Sequence, residues 1–110
     1  MIARHWRALA RTERAADYLR HLRGETFPAL KRLPGFVDAA VHSRRLGHGV
    51  EFQVITRWRS LEAIAAFAGE DIETAVVPGA VQDMMLEYDD RACHFEVHEE
   101  ISGTPRTSPV

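Results

Sequence analysis

The periodicities of the chain predict an α+β domain in which a four-stranded antiparallel sheet carries its helices on one face. Three observations carry that expectation. Segments of period two alternate with segments of period near 3.6 in the order β-α-β-β-α-β. The two middle strands flank Leu46-Gly47-His48-Gly49, whose glycines can supply the positive φ of a tight hairpin. A length of 110 residues leaves room for one core and no second.

Each element has its own signal. Met1 to about Leu9 alternates as a first strand, with Ile2, Arg4 and Trp6 on one face and Ala3, His5 and Arg7 on the other. Thr12 is the expected N-cap of a helix whose stripe is Ala15, Leu19, Leu22 and Thr26. Gly24 and Pro28 predict a kink or break before a short second piece that ends at Leu33, ahead of Pro34-Gly35. Phe36–Arg45 and Val50–Trp58 form the hairpin. With Gly47-His48 at its tip, Asp38 pairs with Arg57, His42 with Gln53 and Arg44 with Glu51, while Val37, Ala39, Val41, Phe52, Val54, Thr56 and Trp58 share the other face. One apolar face and one face of matched charges suit a half-buried antiparallel pair, and a one-residue slip would mix the two sets. Ser60 caps a second helix with Leu61, Ile64 and Phe67 as its stripe and Gly69 as its end. A helical turn is expected from Glu70 to about Val77 and a short helix over Val81–Leu86, with Tyr88 in a surface turn. Arg91–Glu99 alternates again as the last strand. This order is the ferredoxin-like arrangement. The domain occupies residues 1–100, and 101–110, with Gly103, Pro105 and Pro109, reads as a flexible tail.

Composition excludes several classes. A net charge of -2 argues against a basic nucleic-acid binder. No apolar run approaches the ~20 residues of a membrane span, and the first residues lack a signal-peptide core, so a cytoplasmic chain is expected. A single cysteine, Cys93, excludes an internal disulfide and reads as a core residue. Up to Arg59 there are 12 Lys and Arg against 5 Asp and Glu, and from Ser60 onward 2 against 11. The two halves are expected to pair with each other in the fold; a basic face for an anionic or phenolate ligand is the alternative.

The chemistry-bearing residues are few. His94-x-Glu96-x-His98 points one way on a strand, but residues four apart there are separated by about 13 Å, too far for one metal ion to bridge. No metal site is expected; a single histidine acting as acid or base is the better reading. Trp6 and Trp58 belong either to the core or to a flat wall against an aromatic ligand. No phosphate loop, dinucleotide fingerprint, nucleophile elbow or zinc-protease motif is present.

Four stretches carry a resemblance: Met1-Ile2-Ala3-Arg4-His5-Trp6-Arg7; Trp58-Arg59-Ser60-Leu61-Glu62-Ala63-Ile64 with Ala66-Phe67-Ala68-Gly69-Glu70-Asp71; Ala75-Val76-Val77-Pro78; and His94-Phe95-Glu96-Val97. Over about residues 1–99 the chain resembles the antibiotic biosynthesis monooxygenase-like family of dimeric α+β barrels. The resemblance implies a homodimer whose sheets pack face to face. It also implies either oxidation of a polycyclic phenol by O₂ without a cofactor, or haem cleavage. The haem-degrading branch is a poor match, since Phe67 and Val77 fall where that branch has a tryptophan and an iron-binding histidine. The expected reading is therefore a cofactor-independent monooxygenase acting on an aromatic or polyketide-like molecule. His94 or His5 would be its base, and Trp6, Trp58, Arg4 and Thr56 would bind the substrate. No metal, flavin or haem, no nucleic acid and no membrane are expected as partners. A non-catalytic binding or structural barrel is the alternative.

Overall fold

The computed structural model describes residues 1–104. Its sheet is antiparallel, in the order β2-β3-β1-β4, with β5 also paired to β1. The strands are β1 (Ile2–Ala10), β2 (Phe36–Leu46), β3 (Gly49–Trp58), β4 (Met85–Tyr88) and β5 (Cys93–Glu96). β5 pairs with Ile2–His5 and β4 with Ala8–Ala10. Two short strands thus lie end to end where one fourth strand was expected. Between them the chain is tied down by the Asp89 N–H donating to the Arg7 carbonyl and by an isolated bridge from Thr74 to Arg91.

The hairpin keeps the expected register. Asp38 faces Arg57, His42 faces Gln53 and Arg44 faces Glu51. A bulge between Phe36 and Asp38 shifts only the far end, so that Phe36 pairs with Trp58. Phe52, Val54, Thr56 and Trp58 turn inward and are buried. On the outer face Arg57 Nε donates to Asp38 at 2.7 Å, and Glu51 accepts from Arg7 and Arg44, both at 2.7 Å.

The two arginines beside Glu51 pull its pKa from an ordinary 4.5 down to about 2. A depressed carboxylate stabilises the fold fully above its unfolded pKa, and that stability is lost as the pH falls toward the folded value. The melting temperature should therefore drop between pH 4.5 and 2, and Glu51→Gln should flatten that slope in thermal melts. An unchanged slope would remove Glu51 from acid unfolding.

The first helical segment is continuous but irregular. A 3₁₀ turn (Thr12–Arg14) leads into α1 (Ala15–His21), a π-helical turn (Leu22–Thr26) and α2 (Phe27–Lys31). The expected interruption near Gly24 and Pro28 is this π turn, which adds a residue without ending the helix. Thr12 does not cap: Arg11 holds the cap position and no side chain caps it. Ser60 does, its hydroxyl accepting from the Ala63 N–H ahead of α3 (Leu61–Ala68). Ile64 is fully buried at the sheet, whereas Leu61 is exposed, since its place in the first turn looks away from β3. Gly35, at φ +86°, lets α3 approach: an added Cβ would stand 2.5 Å from the Ala63 Cβ.

Four expectations for the second half are corrected. Residues 70–77 form no helix. Only Gly79–Gln82 is helical (α4), and the apolar run after it enters the sheet as β4, where β1 offers free hydrogen-bonding groups. Tyr88 therefore sits on a strand against Trp6, with ring centroids 6.4 Å apart. Cys93 is exposed, because its pairing with His5 puts it on the outer face. Ile101–Thr104 of the expected tail carry no secondary structure, and 105–110 lie outside the described residues. No helix among the described residues is long and apolar enough to cross a membrane.

Candidate functional site

Alternation along β1 turns Arg4 and Trp6 toward the helices. β1 is central, so each has neighbours on both sides: Arg4 lies between Thr56 on β3 and His94 on β5. Three side chains from distant parts of the sequence thus form a row across the sheet. Tyr18 and His21 from α1, Leu22 and Thr26 from the π turn, and Phe67 from α3 close over it. They enclose a cavity of about 60 Å³, several times the space one water needs. In a π turn residues five apart share a face, which suits placing both His21 and Thr26 on its wall.

Arg4 is the unusual group. It is 4% exposed and forms no ion pair with a carboxylate among the described residues. Its Nη1 donates to the Ile72 carbonyl and, at 2.9 Å, meets His94 Nε2; its Nη2 donates to the Thr74 carbonyl at 2.8 Å. The guanidinium lies 5.6 Å over the Phe67 ring. Burial lowers its pKa, yet arginine stays charged in proteins. Because a guanidinium can only donate, His94 Nε2 must accept, and the His94 proton sits on Nδ1. Burial first, then the Arg4 charge, holds the His94 pKa below the usual histidine value, against the opposing pull of Glu73. His94 is neutral at pH 7, with its free lone pair already engaged.

Trp6 forms a flat part of the wall, pinned by its Nε1 donating to the Asp89 carbonyl at 2.7 Å. Thr56 accepts from Trp58 Nε1 at 2.8 Å, which leaves its own hydroxyl proton to be donated. Trp58 itself is fully buried behind this wall, edge-on to Phe36 and stacked on Phe67. It does not line the cavity but orients two residues that do. Tyr18 is 2% exposed and edge-on to Phe52, and its hydroxyl has no protein partner among the described residues. Burial pushes its pKa up, so it remains a donor. No Asp or Glu is on the wall.

Of the six residues expected at a site, Arg4, Trp6 and Thr56 line the cavity, while His94 stands behind Arg4 and Trp58 behind Thr56. His5 is separated from it. Strand parity puts His5 on the outer face of the sheet, edge-on to Phe95 at 4.9 Å, where burial and then His42 lower its pKa. Tyr18 and His21 were missed. Tyr18 lies three residues after Ala15 and four before Leu22, so the helical stripe contained the signal; His21 enters through the π turn, which no periodicity encodes. Among the described residues, no group of three His, Cys, Asp or Glu side chains is placed to hold a metal ion.

An apolar cavity with one buried cation on its wall thus lies between an antiparallel sheet and its helices in a small α+β protein. Its fold is that of the antibiotic biosynthesis monooxygenase-like proteins. A monooxygenase of Streptomyces coelicolor, solved in complex with nanaomycin D, matches with a TM-score of 0.67 at 17% identity, over 94% of this chain and 92% of that one. A Bacillus cereus protein assigned to the antibiotic biosynthesis monooxygenases matches with a TM-score of 0.66 at 17% identity, over 94% and 97%. The haem-degrader MhuD of Mycobacterium tuberculosis, with two haems in its active site, matches with a TM-score of 0.59 at 19% identity, over 93% and 100%. No family model and no curated protein matches the sequence. Val77 stands where the resemblance puts the iron ligand; it is partly buried against the apolar core and has no atom that could ligate haem iron.

Proposed function

We propose that the cavity binds an aromatic or polyketide-like molecule and oxidises it with O₂ without a cofactor. The observation that supports this best is Arg4: a buried cation without a carboxylate partner, beside the flat apolar surface of Trp6. A bound phenol or anthrone would lay its ring on Trp6 and its oxygen toward Arg4 and Thr56. His21, the imidazole on the wall, takes the proton from the acidic ring carbon. The carbanion passes one electron to O₂, and the two radicals combine in a new C–O bond. The peroxide anion takes the proton back from His21, and the resulting hydroperoxide loses water. One oxygen atom ends in the product carbonyl and the other in water, so a CH₂ group and O₂ become C=O and H₂O. The test is O₂ uptake with anthrone-type substrates. One O₂ consumed per carbonyl formed is expected. Binding without uptake would turn the reading to a non-catalytic binding module.

The active form is proposed to be a homodimer joined through the outer sheet face. That face carries Phe95, 55% exposed, among the charge pairs of the hairpin. Burying an exposed aromatic surrounded by self-complementary charges favours a two-fold contact. Sedimentation should give about 25 kDa, twice the 12.4 kDa chain. A 12.4 kDa species at micromolar concentration would refute the dimer.

A further inference from the structure

Resting on the reading of the cavity as a ligand site, we propose that it selects molecules that already carry an anionic oxygen, and that His94 is the positioning residue that aims Arg4 at it.

A guanidinium offers five N–H groups. Arg4 uses both N–H groups of Nη1, on the Ile72 carbonyl and on His94, and one of Nη2, on the Thr74 carbonyl. Its Nε–H has no partner among the described residues. No buried side-chain nitrogen or oxygen there lacks a partner, so this Nε is not sealed in protein but reachable, and Arg4 is part of the cavity wall. Thr56 stands directly across the strand pair, and its hydroxyl, accepting from Trp58, has its proton to give. The Tyr18 hydroxyl adds a third donor. All three donors belong to residues of the cavity wall, where no carboxylate is present to receive them.

Electrostatics points the same way. A buried charge is costly unless compensated, and two carbonyls and a neutral imidazole compensate a guanidinium only in part. A ligand anion completes the compensation and replaces no existing ion pair, so its binding forfeits nothing. A neutral ligand of the same shape leaves the deficit in place. His94 enters through geometry. Its Nε2 holds Nη1 from β5 together with the Ile72 carbonyl, while the Thr74 carbonyl holds Nη2. With both Nη atoms held on that side, Nε is the guanidinium nitrogen left without a protein partner, on a residue of the cavity wall. Glu73 is the charged group of the loop that acts on His94, and Arg4 is the one from β1.

Calorimetric titration with 2-naphthoate and with 2-naphthylmethanol tests this, since the two share a ring system and differ in charge. Wild type should prefer the acid by about 10- to 100-fold, the span of one charge-assisted hydrogen bond. Arg4→Gln should erase the preference. Should that variant fail to fold by circular dichroism, Arg4→Lys, which keeps the charge without the fork, should reduce the preference. His94→Gln places an acceptor oxygen where Nε2 stood and should retain the preference, whereas His94→Leu should lose it. A merely structural role would weaken both ligands alike and leave their ratio unmoved. Equal binding of both ligands by wild type overturns the anion selectivity and leaves the cavity reading intact. Binding of neither overturns both. Equal loss of preference in His94→Gln and His94→Leu overturns the positioning role.

Discussion

Trp58→Ala is expected to cost about 3–5 kcal/mol, the range for truncating a fully buried aromatic. Trp58 has no exposed surface, and it joins Phe36 from the bulged end of the hairpin to Phe67 from α3. Its removal opens a cavity that helix and sheet, each held by its own hydrogen bonds, can close only in part. Domains of this size are stable by only about 5–15 kcal/mol, so the loss is a large share of the total. Each kcal/mol lowers the melting temperature of a domain of about 100 residues by roughly 4–8 °C, so a drop of at least 12 °C is expected. Trp58→Phe separates packing from hydrogen bonding. It keeps most of the ring but leaves Thr56 without its donor, and should cost about 1 kcal/mol for the lost bond plus the smaller volume. A melting temperature that Trp58→Ala leaves unchanged would contradict the packing described here.

The second large effect concerns turnover. With an anthrone-type substrate, His21→Ala should lower the rate of O₂ uptake by about 100-fold or more, the usual contribution of a positioned general base. His21 is the imidazole on the cavity wall, whereas the Nε2 of His94 is engaged by Arg4. The two variants should therefore differ in kind. His21→Ala lowers kcat with KM little changed, because the ligand's anchor survives. His94→Ala acts through Arg4 and raises KM. His5→Ala, on the other side of the sheet, should leave both constants as they are. Unchanged uptake in His21→Ala would remove it as the base, and a matching loss in His94→Ala alone would return that role to His94.

Much of this protein was legible before folding. The hairpin register is a case: the apolar set containing Phe52, Val54 and Trp58 and the charge set containing Asp38, Glu51 and Arg57 are separated by parity, and only one alignment keeps them apart. Ser60 and Gly69 mark the ends of α3 because a cap and a left-handed stop are local chemistry. The candidate site was legible in part. Arg4, Trp6 and Thr56 stood out as polar or aromatic side chains on strand faces. Tyr18 was hidden inside a stripe read as apolar packing. The end of the sheet was misread because Met85-Leu86-Glu87-Tyr88 is too short for either period to assert itself.

What the sequence determined by itself is therefore what near neighbours along the chain decide: period, turn, cap and the register of a hairpin whose strands are adjacent. What the tertiary structure alone decided is which face of a strand looks inward and which distant residues meet. Cys93, Phe95 and Val97 are the apolar set of the last strand, and by alternation alone they belong to the core. Pairing β5 with β1 instead aligns His94 with Arg4 and turns Cys93 and Phe95 outward. A strand's side chains are committed to alternate faces by its own pleat, but the choice between the faces is made by the neighbour whose backbone it must match. Here that neighbour lies some ninety residues away, and it brings a buried arginine, an imidazole and a threonine into one row.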